Sequence, residues 1–159
     1  MAANENDTLT AVRQDSRQEK DMPGNTISVA LTATDNGDGT ISVTGPNGGA
    51  NLPTNSGAAR FSFTLTDNTG FNVKFASLDA ADNNTSCPPP SGENSQQITG
   101  VVTNNDQAPR TAAFTDNNSN NAANGPMSIS YAWNFTCDPG RTVGQYDPII
   151  TNGGKTGPL

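Results

Sequence analysis

Histidine is absent from this chain of 159 residues, and that removes much of catalytic chemistry at once. Ser-His-Asp and Cys-His nucleophile arrangements, and histidine-based metal sites, all need an imidazole. The three lysines, Lys20, Lys74 and Lys155, sit in no nucleophile motif, and neither a P-loop nor a G-x-G-x-x-G run occurs. Carboxylates and two thiols remain. A general acid/base pair of the glycosidase kind would have to come from Asp67, Asp79, Asp82, Asp106, Asp116 or Asp147. Nearly all of these fall in expected loops or turns, where Asp bonds its own backbone and forms the turn. No enzyme is expected.

The best ligand set is Asp35, Asn36 and Asp38, which supply oxygens for Ca²⁺ within one tight turn. The spacing lacks the position-12 Glu of an EF-hand, and Asp38-Gly39 is also ordinary turn chemistry. Asp79, Asp82 and Asn83 form a weaker second cluster. No other cofactor is expected. Cys87 and Cys137 are the only cysteines. Cys87 precedes a stiff Pro88-Pro89-Pro90 run and Cys137 precedes the turn Asp138-Pro139-Gly140, so both are placed at the rim of the fold. They are expected to form a disulfide, which across fifty residues would contribute roughly 4 kcal/mol. Two free thiols in a reducing compartment are the alternative. N-x-S/T sequons at Asn6, Asn83, Asn84, Asn117 and Asn134 are expected by chance in a chain with twenty-one Asn and twenty Thr.

The element with the clearest pattern is Met127–Cys137. Met127, Ile129, Tyr131, Trp133, Phe135 and Cys137 fall on one parity; Ser128, Ser130, Ala132, Asn134 and Thr136 fall on the other. Successive strand side chains point to opposite faces, so one face is apolar and the other small and polar. Tyr131 and Trp133 could stack on a sugar, but uninterrupted apolar parity reads as core. Phe61, Phe63, Phe71 and Phe75 are their expected neighbours.

Other alternating runs share the pattern. Thr26–Thr34 is a strand, and Ile41 and Val43 mark its hairpin partner across Asp35-Asn36-Gly37-Asp38-Gly39. Arg60–Asp67 and Phe71–Ser77 read as a second hairpin around Asn68-Thr69-Gly70. Further strands are expected at Gln97–Thr103, Thr111–Thr115 and Gln145–Thr151, the last demoted to an edge by Pro148. Leu78–Ser95 and Asp116–Gly125 read as loops. The fold expected is all-β: an antiparallel β-sandwich, Ig-like or jelly-roll-like, of about eight strands with long loops. The string T-D-N-G-D-G-T at residues 34–40, followed by alternating residues, resembles a hairpin of filamin-type repeats and bacterial Ig-like surface domains. Those relatives often carry Tyr where Ile41 stands here. The resemblance implies an Ig-like sandwich and says nothing about an active site.

Only 31% of residues are hydrophobic, so the core must be modest. Residues 25–151 are expected to form the sandwich and 152–159 a mobile C-terminal tail. Residues 1–24 are expected to form an N-terminal arm. It is dense in charge, with Leu9 and Val12 too sparse to anchor a helix, and reads either as a disordered leader or as a segment that orders against a neighbouring subunit through Leu9, Val12, Arg13 and Arg17. A formal charge of −7 disfavours nucleic acid and anionic membranes as partners. No apolar run spans a bilayer, and the first twenty residues lack the apolar stretch of a secretory signal. The expected role is non-enzymatic: a structural or assembly protein, such as a virion decoration or appendage subunit or an extracellular filament subunit. Its partners are other proteins or its own copies, and its location is extracytoplasmic or on a virion surface. A carbohydrate- or surface-binding module, with glycan and Ca²⁺ as ligands, and a small periplasmic or secreted domain are the alternatives.

Overall fold

The computed structural model of the chain describes residues 24–46 and 49–157. Among these are ten strands: β1 (Asn25–Asp35), β2 (Thr40–Thr44), β3 (Asn51–Leu52), β4 (Ala59–Asp67), β5 (Lys74–Asp82), β6 (Ile98–Asn104), β7 (Arg110–Asp116), β8 (Met127–Thr136), β9 (Thr142–Val143) and β10 (Ile149–Asn152). One 3-10 turn covers Ala122–Asn124. The strands form a six-stranded sheet, in the order β6-β7-β4-β1-β2-β9, and a four-stranded sheet, in the order β3-β10-β8-β5. The all-β, two-sheet architecture agrees with the pattern of the sequence. The expectation of purely antiparallel ladders is corrected, because β1 pairs β4, β2 pairs β9 and β3 pairs β10 in parallel.

Alternation sets the faces. In β4, Ala59, Phe61, Phe63 and Leu65 are buried, while Thr64 and Thr66 are exposed. In β8, Ile129, Tyr131 and Trp133 are buried with them, and Trp133 has 0% exposure. The two inner faces meet through aromatic rings. Phe63 and Phe75 present edges to Trp133 at centroid distances of 5.6 and 5.2 Å, and Phe114 packs edge-on to Tyr131 at 5.1 Å. Edge-to-face contact brings the positive ring edge to the negative ring face, a preferred aromatic geometry. Phe71 and Phe135 are half-buried at the margin of this cluster, and the Arg141 guanidinium lies 4.3 Å from the Phe71 ring centroid.

The first expected hairpin is present as β1–β2, with Ala33 opposite Val43. The second is overturned. β4 pairs with β1 and β7, whereas β5 pairs with β8 in the other sheet. The chain thus arches across the core between Asp67 and Lys74, so that Phe61 and Phe63 face Phe75 instead of lying beside it. The turn residues were legible; that they join two sheets was not, because a hairpin and an arch use the same Asn-Thr-Gly chemistry. β5 also runs on to Asp82, through part of the expected loop. Nor is β10 an edge: it lies between β8 and β3. Pro148 sits just before it, where no ladder N–H is required, and its carbonyl accepts from Tyr131 N–H at 3.2 Å. Residues 152–157, expected as part of a mobile tail, are stitched to the body. Asn152 is a buried β10 residue, Gly154 N–H donates to Asn118 Oδ1, and Thr156 N–H donates to Asn55 Oδ1.

Asp67 holds the arch. Its Oδ1 accepts from the Thr69 N–H at 2.9 Å and from the Thr69 hydroxyl at 2.6 Å; its Oδ2 accepts from the Val73 N–H at 2.8 Å, with Arg110 Nη1 at 3.8 Å. Burial pushes this carboxyl up, but the Thr69 and Val73 hydrogen bonds and Arg110 outweigh it and hold the pKa below its ordinary 3.8. Asp67→Ala strands two backbone donors and should cost about 1–3 kcal/mol in denaturant unfolding. Because the folded pKa is lowered, the stabilisation is present above the unfolded value and fades as pH falls through the folded one. The gap between wild type and variant should therefore be full at neutral pH and narrow below about pH 4.

Candidate functional site

In the turn proposed for calcium, one oxygen of each of the three side chains is bonded within the hairpin. Asp35 Oδ1 accepts from Gly37 N–H, and Arg141 Nε lies 3.8 Å away. Asp38 Oδ1 accepts from both the hydroxyl and the N–H of Thr40, which hold its pKa below the ordinary value. Asn36 Oδ1 accepts from Ser42, and its Nδ2 donates to Thr40 and Ser42. Asp35, Asn36 and Asp38 are thus brought together as a turn. The second cluster is spread out. Asp79 Oδ1 accepts from Gly92 N–H and its Oδ2 from Asn134; Asp82 accepts from Ser95 and from Gln96 N–H.

The disulfide expectation is corrected: Cys87 and Cys137 are both free thiols. Cys87 is exposed on the loop after β5. Burial and the nearby Asp147 carboxylate raise its pKa, so it is a weak nucleophile. Cys137 packs against the core just beyond the end of β8, where its thiol donates to the Arg141 carbonyl at 3.4 Å. Cys87 feels the Asp147 carboxylate, whereas Cys137 follows the end of β8. The sugar platform loses its rings, since Tyr131 and Trp133 are inside the sandwich. The arm residues Leu9, Val12, Arg13 and Arg17 lie outside the described residues.

Two features escaped the sequence reading. The first is a polar cluster closing one end of the core. Asp116 continues the inward parity of Ala112 and Phe114 on β7, and Asn152 that of Ile150 on β10; both have 0% exposure. They meet across the two sheets, with Asn152 Nδ2 donating to Asp116 Oδ1 at 2.8 Å. Asn118 N–H donates to the same oxygen at 2.9 Å. Burial raises the Asp116 pKa; these two hydrogen bonds oppose the rise, and the Asp82 charge adds to it. Parity was the available signal, but Asp116 and Asn152 fall at the ends of their runs, where polar residues read as turns.

The second is the β6 edge. β9 and β3 are two-residue edge strands, and β5 is covered on its free side by Glu93, whose carbonyl accepts from Ala80 N–H, and by Asn105, which bonds both the N–H and the carbonyl of Phe75. Short or covered edges cannot recruit a further strand. β6 is seven residues long and carries no charge. A bulge at Gly100, in the left-handed region at φ 63°, interrupts its register with β7. Val101 and Val102 are 46% and 53% exposed. Val102 opposes Ala113, which opposes Ser62, beside a groove of about 260 Å³ on the outer face of the six-stranded sheet. Alternate outward positions on that face are Thr26, Ser28, Ala30, Thr32 and Thr34 of β1 and Arg60, Ser62, Thr64 and Thr66 of β4. Arg60 is the one charged side chain in those two rows. A chain of net charge −7 therefore has a nearly neutral face beside an edge that no described strand pairs.

No protein family model matches the chain, and no curated protein is significantly similar to it. Titration of the denatured, unreduced protein should find both thiols free; none detected would restore the disulfide.

Proposed function

We propose that this chain is a non-enzymatic structural subunit that assembles by strand addition, with an arm of one copy pairing along β6 of the next. The observation that carries this reading is the outer edge of β6, which no described strand pairs and which is uncharged and bears two exposed valines, while the other sheet edges among the described residues are short or covered. An added strand gains backbone hydrogen bonds without needing a large apolar face. Thr8–Val12 has the composition for it, alternating Thr8, Thr10 and Val12 with Leu9 and Ala11. The chain between Val12 and Asn25 can span about 40 Å when extended, enough to reach a neighbouring copy. The near-neutral outer face supports the same reading, because it lets two acidic copies approach without strong repulsion. An extracytoplasmic or virion-surface setting, and the hairpin's resemblance to bacterial Ig-like and filamin-type domains, fit such a role.

Size-exclusion chromatography with light scattering tests this. The full chain should associate with rising concentration. Deletion of residues 1–22, or Val102→Lys in β6, should leave a folded monomer. If the full chain stays monomeric at all concentrations, or the truncated chain associates equally well, the assembly reading fails and a surface-binding module becomes the better account.

A further inference from the structure

Asp116 is a fully enclosed carboxyl group with no cation beside it. Its Oδ1 accepts from Asn152 Nδ2 and from Asn118 N–H, while its Oδ2 is buried and has no hydrogen-bond partner among the described residues. The elements around it supply no countercharge. Ala59 of β4 and Ile98 of β6 lie opposite it, and neither β6 nor β10 carries a charged residue. Arg60 follows Ala59 and so falls on the outer face of β4. Arg110, at the other end of β7, lies beside Asp67. Segments 53–57 and 117–121 are uncharged. Lys155 meets this region through its backbone, whose N–H donates to the Asn120 carbonyl, while its side chain is exposed. The charge that does act on Asp116 is a second carboxylate, Asp82 of β5.

This carboxyl sits where the C-terminal segment joins the body. Asn152 ends β10; beyond it, Gly154 N–H donates to Asn118 Oδ1 at 2.9 Å and Lys155 N–H to the Asn120 carbonyl at 2.7 Å. The fit is close: a Cβ on Gly154 would come within 2.4 Å of the Asn120 carbonyl oxygen. A proton on Asp116 Oδ2 removes the charge and leaves both bonds at Oδ1 in place. Without that proton, Oδ2 belongs to a buried anion that lacks a countercharge, which is costly. Water relieves that cost once a covering element lifts. The weakest cover is β10, four residues long beside the two-residue β3, whereas β4 and β7 have nine and seven residues.

We propose that Asp116 is a proton-operated latch: protonated, it holds β10 and the 153–155 segment against β7, and ionised, it lets them part. Burial raises its pKa above the ordinary 3.8, the Asn118 and Asn152 hydrogen bonds oppose the rise, and the Asp82 charge adds to it. Because the folded pKa is raised, the closed fold holds this proton more tightly than the opened segment does. The stabilisation is fully present below the ordinary value and is lost as pH rises through the folded one, at up to about tenfold in the opening equilibrium per pH unit. The sign is opposite to that at Asp67, whose contribution fades in acid. The latch does not depend on assembly.

Amide hydrogen exchange of the full chain tests this between about pH 4 and pH 8, at one fixed protein concentration and read as protection relative to an unstructured chain at each pH. The Gly154 and Lys155 amides should lose about tenfold or more of their protection over that range, while amides in the middle of β4 keep theirs. Asp116→Asn puts a neutral amide in place of the acid and should keep Gly154 and Lys155 protected throughout. Should Asp116→Asn fail to fold, carbon-13 NMR of the wild-type carboxyl groups decides, and Asp116 should titrate above 3.8. Unchanged protection of Gly154 and Lys155 across the range would overturn the latch. So would an equal loss in a folded Asp116→Asn, or an Asp116 carboxyl that titrates at or below 3.8.

Discussion

The contact of Phe63 in one sheet with Trp133 in the other is the interaction on which the rest of the structure rests. Trp133 has 0% exposure and takes ring edges from Phe63 and Phe75, one from each sheet. Less than a third of this chain is hydrophobic. It can therefore fill a single apolar layer, and the large side chains must be gathered there. Truncating a residue such as Trp133 would cost about 3–5 kcal/mol, against a total stability of about 5–15 kcal/mol for a domain. The arch at Asp67 follows from the same need, because Phe75 can reach Trp133 only if β5 leaves the sheet that holds β4.

A thin core leaves ends that apolar groups cannot close, and here short polar side chains close them. Asn118 binds the 53–57 segment and Gly154 together, Asn105 imitates a strand along β5, and Asp116 meets Asn152 across the sandwich. The high Asn content is thus partly structural rather than only a sign of loops. Each such residue carries both a donor and an acceptor, so it can satisfy backbone groups at the margin of the core. The cost is that any imbalance is buried, and at Asp116, Asn120 and Asn152 it falls on the acceptor side.

Parity made the strands legible. β1, β2, β4, β7 and β8 lie within a few residues of where alternation places them, because period-two burial is a local property of the chain. Connectivity was not local, and it was read less well. The Asn68-Thr69-Gly70 turn was read as a hairpin, yet the strands it joins lie in different sheets. Parallel pairing of β1 with β4 leaves no mark on either strand, since each keeps the same alternation whichever way its neighbour runs. The free thiols had a similar cause: both cysteines were placed at a rim, but not on which part of it. The exposure of both Val101 and Val102 was not legible, because every residue of β6 after Ile98 is exposed, where alternation would hide one of two neighbours.

The β6 edge, unpaired by any described strand, separates a self-assembling subunit from a solitary domain, and amide hydrogen exchange reads it directly. Strand amides without partners exchange quickly, and pairing with another chain protects them. If copies join along this edge, protection within Ile98–Asn104 should rise with protein concentration, while the amides of β4 and β8 stay protected throughout. Exchange in β6 that is equally fast at micromolar and millimolar concentration would contradict assembly through this strand.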